Sequence, residues 1–291
     1  MEEYHKSVLI KEVLEYLDPR QGDAIVDATF GFGGHSKEIL KHIGSNGRLI
    51  GIEQDEDVIE LVKSQLTDKR ISLVNENFSC LSSILKNRKL KKIDKVLFDL
   101  GLSSYHFDVK KSGFSFNDPA LDMRLDKQSA VRASDLVNRL SEKDLADLLY
   151  QNADEYYSRR IAKAIVEKRK IKKITSAEEL AAIISSVIRK RGRTNSATKT
   201  FQALRIEVNK ELDVLEQTLP VAINHINKGG RIVVISFHSK EDRIVKETFK
   251  KFVALGKIQI LTKKPVVASY EEVKKNPRSR SAKLRAAEVI N

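Results

Sequence analysis

The chain has 291 residues, 41% of them hydrophobic and 32% charged, the profile of an ordinary globular protein, and its formal net charge of +13 points to a polyanionic partner or else reflects a lysine-rich proteome. No apolar run approaches the ~18 residues of a membrane span, and the acidic start MEEYHKSVL does not read as a signal peptide. One cysteine, Cys80, excludes a disulfide framework and a cysteine-built zinc site, and six scattered histidines have no metal-ligand spacing, so the expectation is a cytoplasmic protein with no metal and no membrane.

Residues 23–30, DAIVDATF, read as a short buried strand that runs into a glycine turn. SKEILKHIG then sets Ile39, Leu40 and Ile43 at helical spacing and ends at Gly44, a C-cap residue. GRLIGIE (47–53) is a second strand with an acid at its C-terminal end, followed by the amphipathic helix DEDVIELVKSQL. ISLVNENF is a third strand, LSSILKNR a short helix, and KVLFDLG (95–101) a fourth strand ending in an acid and a glycine. Strands alternating with helices at this pitch predict a parallel α/β sheet.

The alternation stops at DVKKSGFSFNDPALDMRLD (108–126), which has no clean period and reads as a long loop. Three helical segments follow. SEKDLADLLYQ opens at Ser141, and TSAEELAAIISSVIRK carries a Thr175…Glu178 capping box. TFQALRIEVNKELDVLEQTL lines up Phe201, Leu204, Val208, Leu212, Leu215 and Leu219 as one stripe that stops at Pro220. GRIVVISFH (230–238) resumes the sheet. The expected architecture is an α/β sheet domain, 1–107 and 216–291, interrupted by a helical insertion, 108–215, that covers a site.

The turn DATFGFGGHS (27–36) matches neither common nucleotide template. It lacks the lysine of a P-loop, and Ser36 stands where G-x-G-x-x-G needs its third glycine. Asp27 at the strand end would repel a pyrophosphate but suits a ligand carrying an ammonium and a sulfonium, as S-adenosylmethionine does. Glu53, ending the second strand, is placed to accept ribose hydroxyls, an arrangement that NAD sites share. With Asp99 these acids stand at strand C-termini, where α/β ligands bind.

HKSVLIKEVLEYL, DATFGFGGHS, GIEQDE, FDLGLSS, GFSF, LDMRLD, TFQALRIEVNKEL, ISFHSKEDRIVK and NPRSRSAKLR occur in this order between His5 and Arg285. In these motifs the chain resembles the bacterial 16S ribosomal RNA cytosine-N4-methyltransferases of the RsmH or MraW type. The resemblance implies a Rossmann-like class I methyltransferase sheet with an inserted helical domain for substrate recognition, and S-adenosylmethionine as cofactor. The implied reaction is methyl transfer to N4 of a cytidine in the decoding region of small-subunit ribosomal RNA. It also implies cofactor contacts at Gly33, Gly34, His35, Glu53, Phe78, Asp99 and His106, with 16S rRNA or the small ribosomal subunit as partner, and it admits a homodimer. The sequence departs from the usual pattern at Glu53 (commonly aspartate), His106 (commonly glutamine), Lys240 (commonly leucine) and QNADEYY (151–157).

Amine methylation needs placement and an acceptor, not a covalent nucleophile. Cys80 accordingly reads as a buried small residue. Asp99 is the candidate catalytic acceptor, or else caps the turn that follows it. Asp122 and Arg124 are a second choice, or else pair to stiffen their loop. His238 and Ser239 reach toward a base, or else His238 is a satisfied core histidine. Phe78 stacks on adenine or joins the core, Phe30 and Phe32 pack, and His35 contributes its backbone N–H. The clusters Arg189–Arg193 and Arg278–Arg285 contact phosphate or are solvated faces. Rival functions are a DNA or tRNA amino-methyltransferase, an RNA-binding assembly factor with a structural cofactor, and an NAD-dependent oxidoreductase.

Overall fold

The computed structural model describes residues 7–188 and 195–291. His5 and the basic cluster Arg189–Arg193 lie outside the described residues. The chain divides into two compact units, one of Met1–Ser103 with Leu212–Asn291 and one of Ser104–Glu211.

The first unit is built on an eight-stranded sheet. Its strands are β1 (Ala24–Asp27), β2 (Arg48–Glu53), β3 (Ile71–Asn75), β4 (Ile93–Asp99), β5 (Ile226–Ser236), β6 (Ile258–Ile260), β7 (Val266–Val267) and β8 (Lys283–Val289). The spatial order is β3-β2-β1-β4-β5-β8-β6, with β7 pairing β8. β1 to β5 are mutually parallel, and β8 runs antiparallel between β5 and β6. The chain winds outward from β1 to β3 and returns to β4 on the other side of β1. That reversal makes the C-terminal edge between β1 and β4 the switch point at which α/β sheets hold ligands.

Alternation along the strands sorts the two faces. Val26, Ile50, Ile52, Val96, Phe98, Ile232 and Val234 point into one core with Leu81, Leu85, Leu215, Leu219, Val245 and Phe249. Asp27, Gly51 and Asp99 fall on the opposite face, and helix Ile10–Leu17 packs there against helix Gly34–Leu40, β4, β5 and β8. The three strands after Phe237 were not expected, because β6 and β7 are too short to carry a period and β8 reads as part of a basic tail.

The second unit is helical. Ala133–Arg139 and Ser158–Ile171 join the expected segments as Glu142–Ala153, Ala177–Val187 and Thr198–Asn209. Ser158–Ile171 escaped the periodicity reading because its buried apolar residues, Ile161, Ala162 and Ile165, are diluted by six cations. The expected Thr175…Glu178 capping box is replaced by a cap one residue later: Ser176 Oγ accepts from the Glu179 N–H, and the Glu179 carboxylate accepts from the Thr175 N–H that precedes the cap. The long stripe expected from Phe201 to Leu219 is two helices, broken at Lys210 in the left-handed region (φ 50°). The second, Glu211–His225, runs through Pro220, with Leu219, Ala222 and Ile223 buried on either side of it. The proline costs one backbone hydrogen bond, and burial of that face offsets it.

The loop expected over 108–126 runs over residues 109–132, which form neither helix nor strand yet are tightly tied. The buried Asp118 carboxylate accepts from the Gly113 and Ser115 N–H groups. Gly113 has φ +94°, and a Cβ there would meet the backbone of Leu121 and Asp122 at 2.9 Å. Asn209 accepts from Leu125 N–H and donates to the Met123 carbonyl, which locks the loop to helix Thr198–Asn209. No helix among the described residues is long and apolar enough to cross a membrane.

Candidate cofactor and catalytic site

The glycine turn is shaped by what must fit around Phe30. Its ring is buried, and a Cβ on Gly33 (φ +74°) would come within 2.8 Å of its edge. A Cβ on Gly51 of β2 would collide with the same ring, and one on Gly34 would collide with the Ser7 hydroxyl. Two of the turn's glycines therefore make room for Phe30 and for the segment at Ser7, and Phe30 packs as expected. Gly31 (φ +52°) donates its N–H to Glu53 Oε2 at 2.9 Å, which ties the turn to the end of β2.

Asp27 takes a different part from the one its position suggested. It is 1% exposed and accepts from Ser36 Oγ at 2.7 Å and from the Thr29 N–H at 3.3 Å. Its carboxylate holds the turn from beneath instead of facing a ligand. Burial raises its pKa above the usual carboxylate range against the lowering effect of the Ser36 bond.

Asp99 ends β4, and its backbone N–H donates to Thr29 Oγ1 at 2.6 Å, so the β4 terminus is tied to the residue after β1. His35 stands in the first turn of helix Gly34–Leu40, and its Nε2 lies 3.3 Å from Asp99 Oδ2. The two side chains are 5% and 10% exposed. Burial pulls the His35 imidazole down, but the Asp99 carboxylate beside it, with Asp27 behind, leaves it net above the usual histidine value. Asp99 Oδ1 is buried and accepts no hydrogen bond among the described residues. A buried acceptor without a donor is uncommon, and a bound N–H or O–H would satisfy it. The ring of His35, not only its backbone, thus stands beside the carboxylate that ends β4.

Glu53 is half-buried, with Oε1 accepting from the Asp55 N–H and Oε2 from Gly31. Phe78 opens the turn after β3 and meets Phe98 edge-on, centroids 5.5 Å apart, leaving part of its ring uncovered. Asn77 Nδ2 donates to Gln54 Oε1 at 2.6 Å and links the loops after β2 and β3. Gln54, Asn77 and Ser7 were not singled out in the sequence. The signal for the first two was their position just past strand ends; Ser7 had none. Cys80 is only partly buried, at the start of helix Leu81–Asn87 and against the core, so the expectation of full burial does not hold.

His238 caps helix Ser239–Ala254. Its Nδ1 faces the Glu241 N–H, while Glu241 Oε2 accepts from the Phe237 and His238 N–H groups. Ser239 is the first residue of that helix. Arg285 is spent on Asp242 (Nε to Oδ1 2.7 Å), whereas Arg278 and Arg280 are exposed. In the second unit, Asp122 holds Arg124 bidentately at 2.7 and 2.9 Å, and Arg124 also donates to the Lys127 and Ser129 carbonyls. Burial of Asp122 is outweighed by Arg124, which holds its pKa below the usual range. This is the loop-stiffening arrangement. His106, in the same unit, is buried edge-on to Tyr105 and Phe114.

A parallel sheet of this order with an antiparallel strand beside β5, a glycine turn after β1 and acids ending β2 and β4 defines a class I methyltransferase that uses S-adenosylmethionine. The chain matches the MraW methylase family over residues 2–290 and belongs to it. It is 46% identical over 304 aligned residues to "Ribosomal RNA small subunit methyltransferase H" of Caldicellulosiruptor saccharolyticus, covering 98% of this chain and 99% of that one. Proteins of the same name from Dictyoglomus thermophilum (45%; 99% and 97% covered) and Finegoldia magna (42%; 100% of both) are similar from end to end.

Proposed function

We propose that this methyltransferase modifies the exocyclic N4 of a cytidine in the decoding region of 16S ribosomal RNA, in the cytoplasm. The observation that carries this reading is the end-to-end similarity to relatives named for the small-subunit ribosomal RNA. The net charge of +13 supports a polyanionic substrate.

Gly33, Gly34, His35, Glu53, Phe78 and Asp99 would hold the cofactor, which supplies a methyl group on a positively charged sulfur. The turn fits it because Asp99 offers a buried acceptor at the switch-point edge, and Phe78, packed against the core after β3, is only partly buried. Cytosine N4 is a weak nucleophile because its lone pair is delocalised into the ring, so it must be held at ~3–3.5 Å, in line. Asp99 Oδ1 accepts one N–H of the amine, stabilises the positive charge that grows on nitrogen as the N–C bond forms and the methyl's bond to sulfur breaks, and takes up the proton that the methylated nitrogen sheds. His35, beside Oδ2, keeps that carboxylate oriented, and the Thr29 hydroxyl fixes its backbone. The target base enters unpaired, since N4 is occupied in a helix. The helical unit 104–211 serves substrate recognition.

The test is transfer of a labelled methyl group to small ribosomal subunits, their free RNA, transfer RNA and DNA, with the product mapped by mass spectrometry. N4-methylcytidine in small-subunit RNA is the expected product. Label confined to transfer RNA or DNA refutes the substrate, and no label with intact cofactor binding favours an assembly factor.

A further inference from the structure

Three of the chain's seven tyrosines fall within residues 150–157, and none of the three rings is needed by the core. Tyr156 is 77% exposed and Tyr150 50%, with Tyr157 also among the exposed aromatics. Such a group of uncovered rings is unusual on a surface that serves only solubility. They are also held in place. The Tyr150 and Tyr156 rings meet edge-on with centroids 6.2 Å apart. Lys199 Nζ sits 5.1 Å from the Tyr156 centroid while donating to the Asp154 carbonyl, so the cation is pinned over one ring face. The Arg160 guanidinium lies 5.9 Å from the Tyr157 centroid. Beneath them the buried Glu155 carboxylate accepts from the Tyr157 N–H and fixes the turn between two helices.

The charge around the rings says what they meet. Helix Ser158–Ile171 carries six cations against one acid, Glu167. Arg159, Arg160 and Lys163 are exposed on its first two turns. Exposed aromatic rings, two of them with a cation over the ring, beside a basic helix, are the elements that bind single-stranded nucleic acid. A protein interface would gain little from a one-sign field of this kind.

We propose that Tyr150, Tyr156 and Tyr157, with Arg159, Arg160, Lys163 and Lys199, form a stacking surface for an unpaired stretch of RNA. It takes bases without regard to identity, and none of its residues is among those that would hold the cofactor. This inference rests on the RNA substrate proposed above. The surface positions the substrate strand and takes no part in the chemical step.

The protein has no tryptophan, so its tyrosine emission reports stacking directly. The probe is a twelve-nucleotide single-stranded oligoadenylate, which lacks the target base, with a duplex of equal length as control. Wild type should bind the single strand with quenched tyrosine emission. Tyr150→Ala with Tyr156→Ala should weaken it by about tenfold or more and abolish most quenching, while Tyr156→Phe stays near wild type. Arg159→Gln with Arg160→Gln should flatten the salt dependence by up to ~0.7 log unit of slope for each phosphate no longer neutralised, and the tyrosine variants should leave that slope alone. Unchanged cofactor affinity and circular dichroism show that the variants are folded.

Wild-type affinity in the double alanine variant overturns the proposal, as does equal binding of the duplex. Altered self-association with unchanged RNA binding overturns it in favour of a protein interface. Methylation of small-subunit RNA separates the two readings. If wild type and the alanine variant methylate with the same KM, the stacking surface falls and the substrate stands. If wild type transfers no methyl to RNA while oligoadenylate still quenches in a Tyr156-dependent way, the substrate falls and the surface stands.

Discussion

Asp99→Asn separates the chemical step from cofactor binding. Asp99 Oδ2 lies 3.3 Å from His35 Nε2, and at an effective dielectric of about 20 the attraction between opposite charges there is about 5 kcal/mol. Burial of both partners consumes much of that, leaving a net pair energy of about 1–3 kcal/mol. Asparagine is nearly the same shape, so the N–H of residue 99 keeps its bond to Thr29 and the fold survives. What disappears is the negative charge that raises the His35 pKa and that would meet the charge growing on the substrate nitrogen. The rate of methyl transfer should fall by about 10²-fold or more, within the range for a positioned acid–base group, equivalent to about 2.7 kcal/mol of barrier. Cofactor affinity should fall by less, because asparagine keeps one oxygen acceptor. Single-turnover transfer at saturating cofactor and RNA measures the rate, and a histidine NMR titration follows His35, whose pKa should drop. A wild-type rate at saturation would reduce Asp99 to a binding residue. An unmoved His35 titration would refute the pairing.

Glu53→Ala should weaken S-adenosylmethionine binding by roughly 1.5–3 kcal/mol and loosen the turn at Gly31, while Glu53→Asp is milder; calorimetric titration decides, and wild-type affinity in the alanine variant removes Glu53 from the site. Gly51→Ala puts a methyl group into the Phe30 ring and should cost about 1–3 kcal/mol in denaturant unfolding; wild-type stability in the variant would refute the close packing of Phe30 on β2. The His35 pKa is raised on folding, so its contribution to stability is complete below the usual value of 6.5 and fades as pH rises through the folded value. The buried Asp27 acts in the same direction, from its usual 3.8 upward. The stability difference between wild type and His35→Gln should therefore shrink from pH 5 to pH 8, and a difference independent of pH would contradict the assignment.

The sheet up to β5 was legible because each strand and helix there carries its own period, and a local period needs no knowledge of the rest of the chain. The glycine turn and the acids Glu53 and Asp99 were legible for the same reason: strand ends are local, and in an α/β sheet they share one edge. Side-chain pairings were not legible. Asp27 and Asp99 each end a strand on the same sheet face, yet one is buried on Ser36 and the other keeps an oxygen without a donor. Only the placement of helix Gly34–Leu40 against β1 and β4 distinguishes them. The sequence likewise could not show that Arg285 is neutralised by Asp242, 43 residues away, or that the helical stripe breaks at Lys210. Local propensity and pattern determined the elements and the edge at which the site lies. Which charges are spent and which stay available was decided by contacts between distant segments, because burial and pairing exist only once those segments meet.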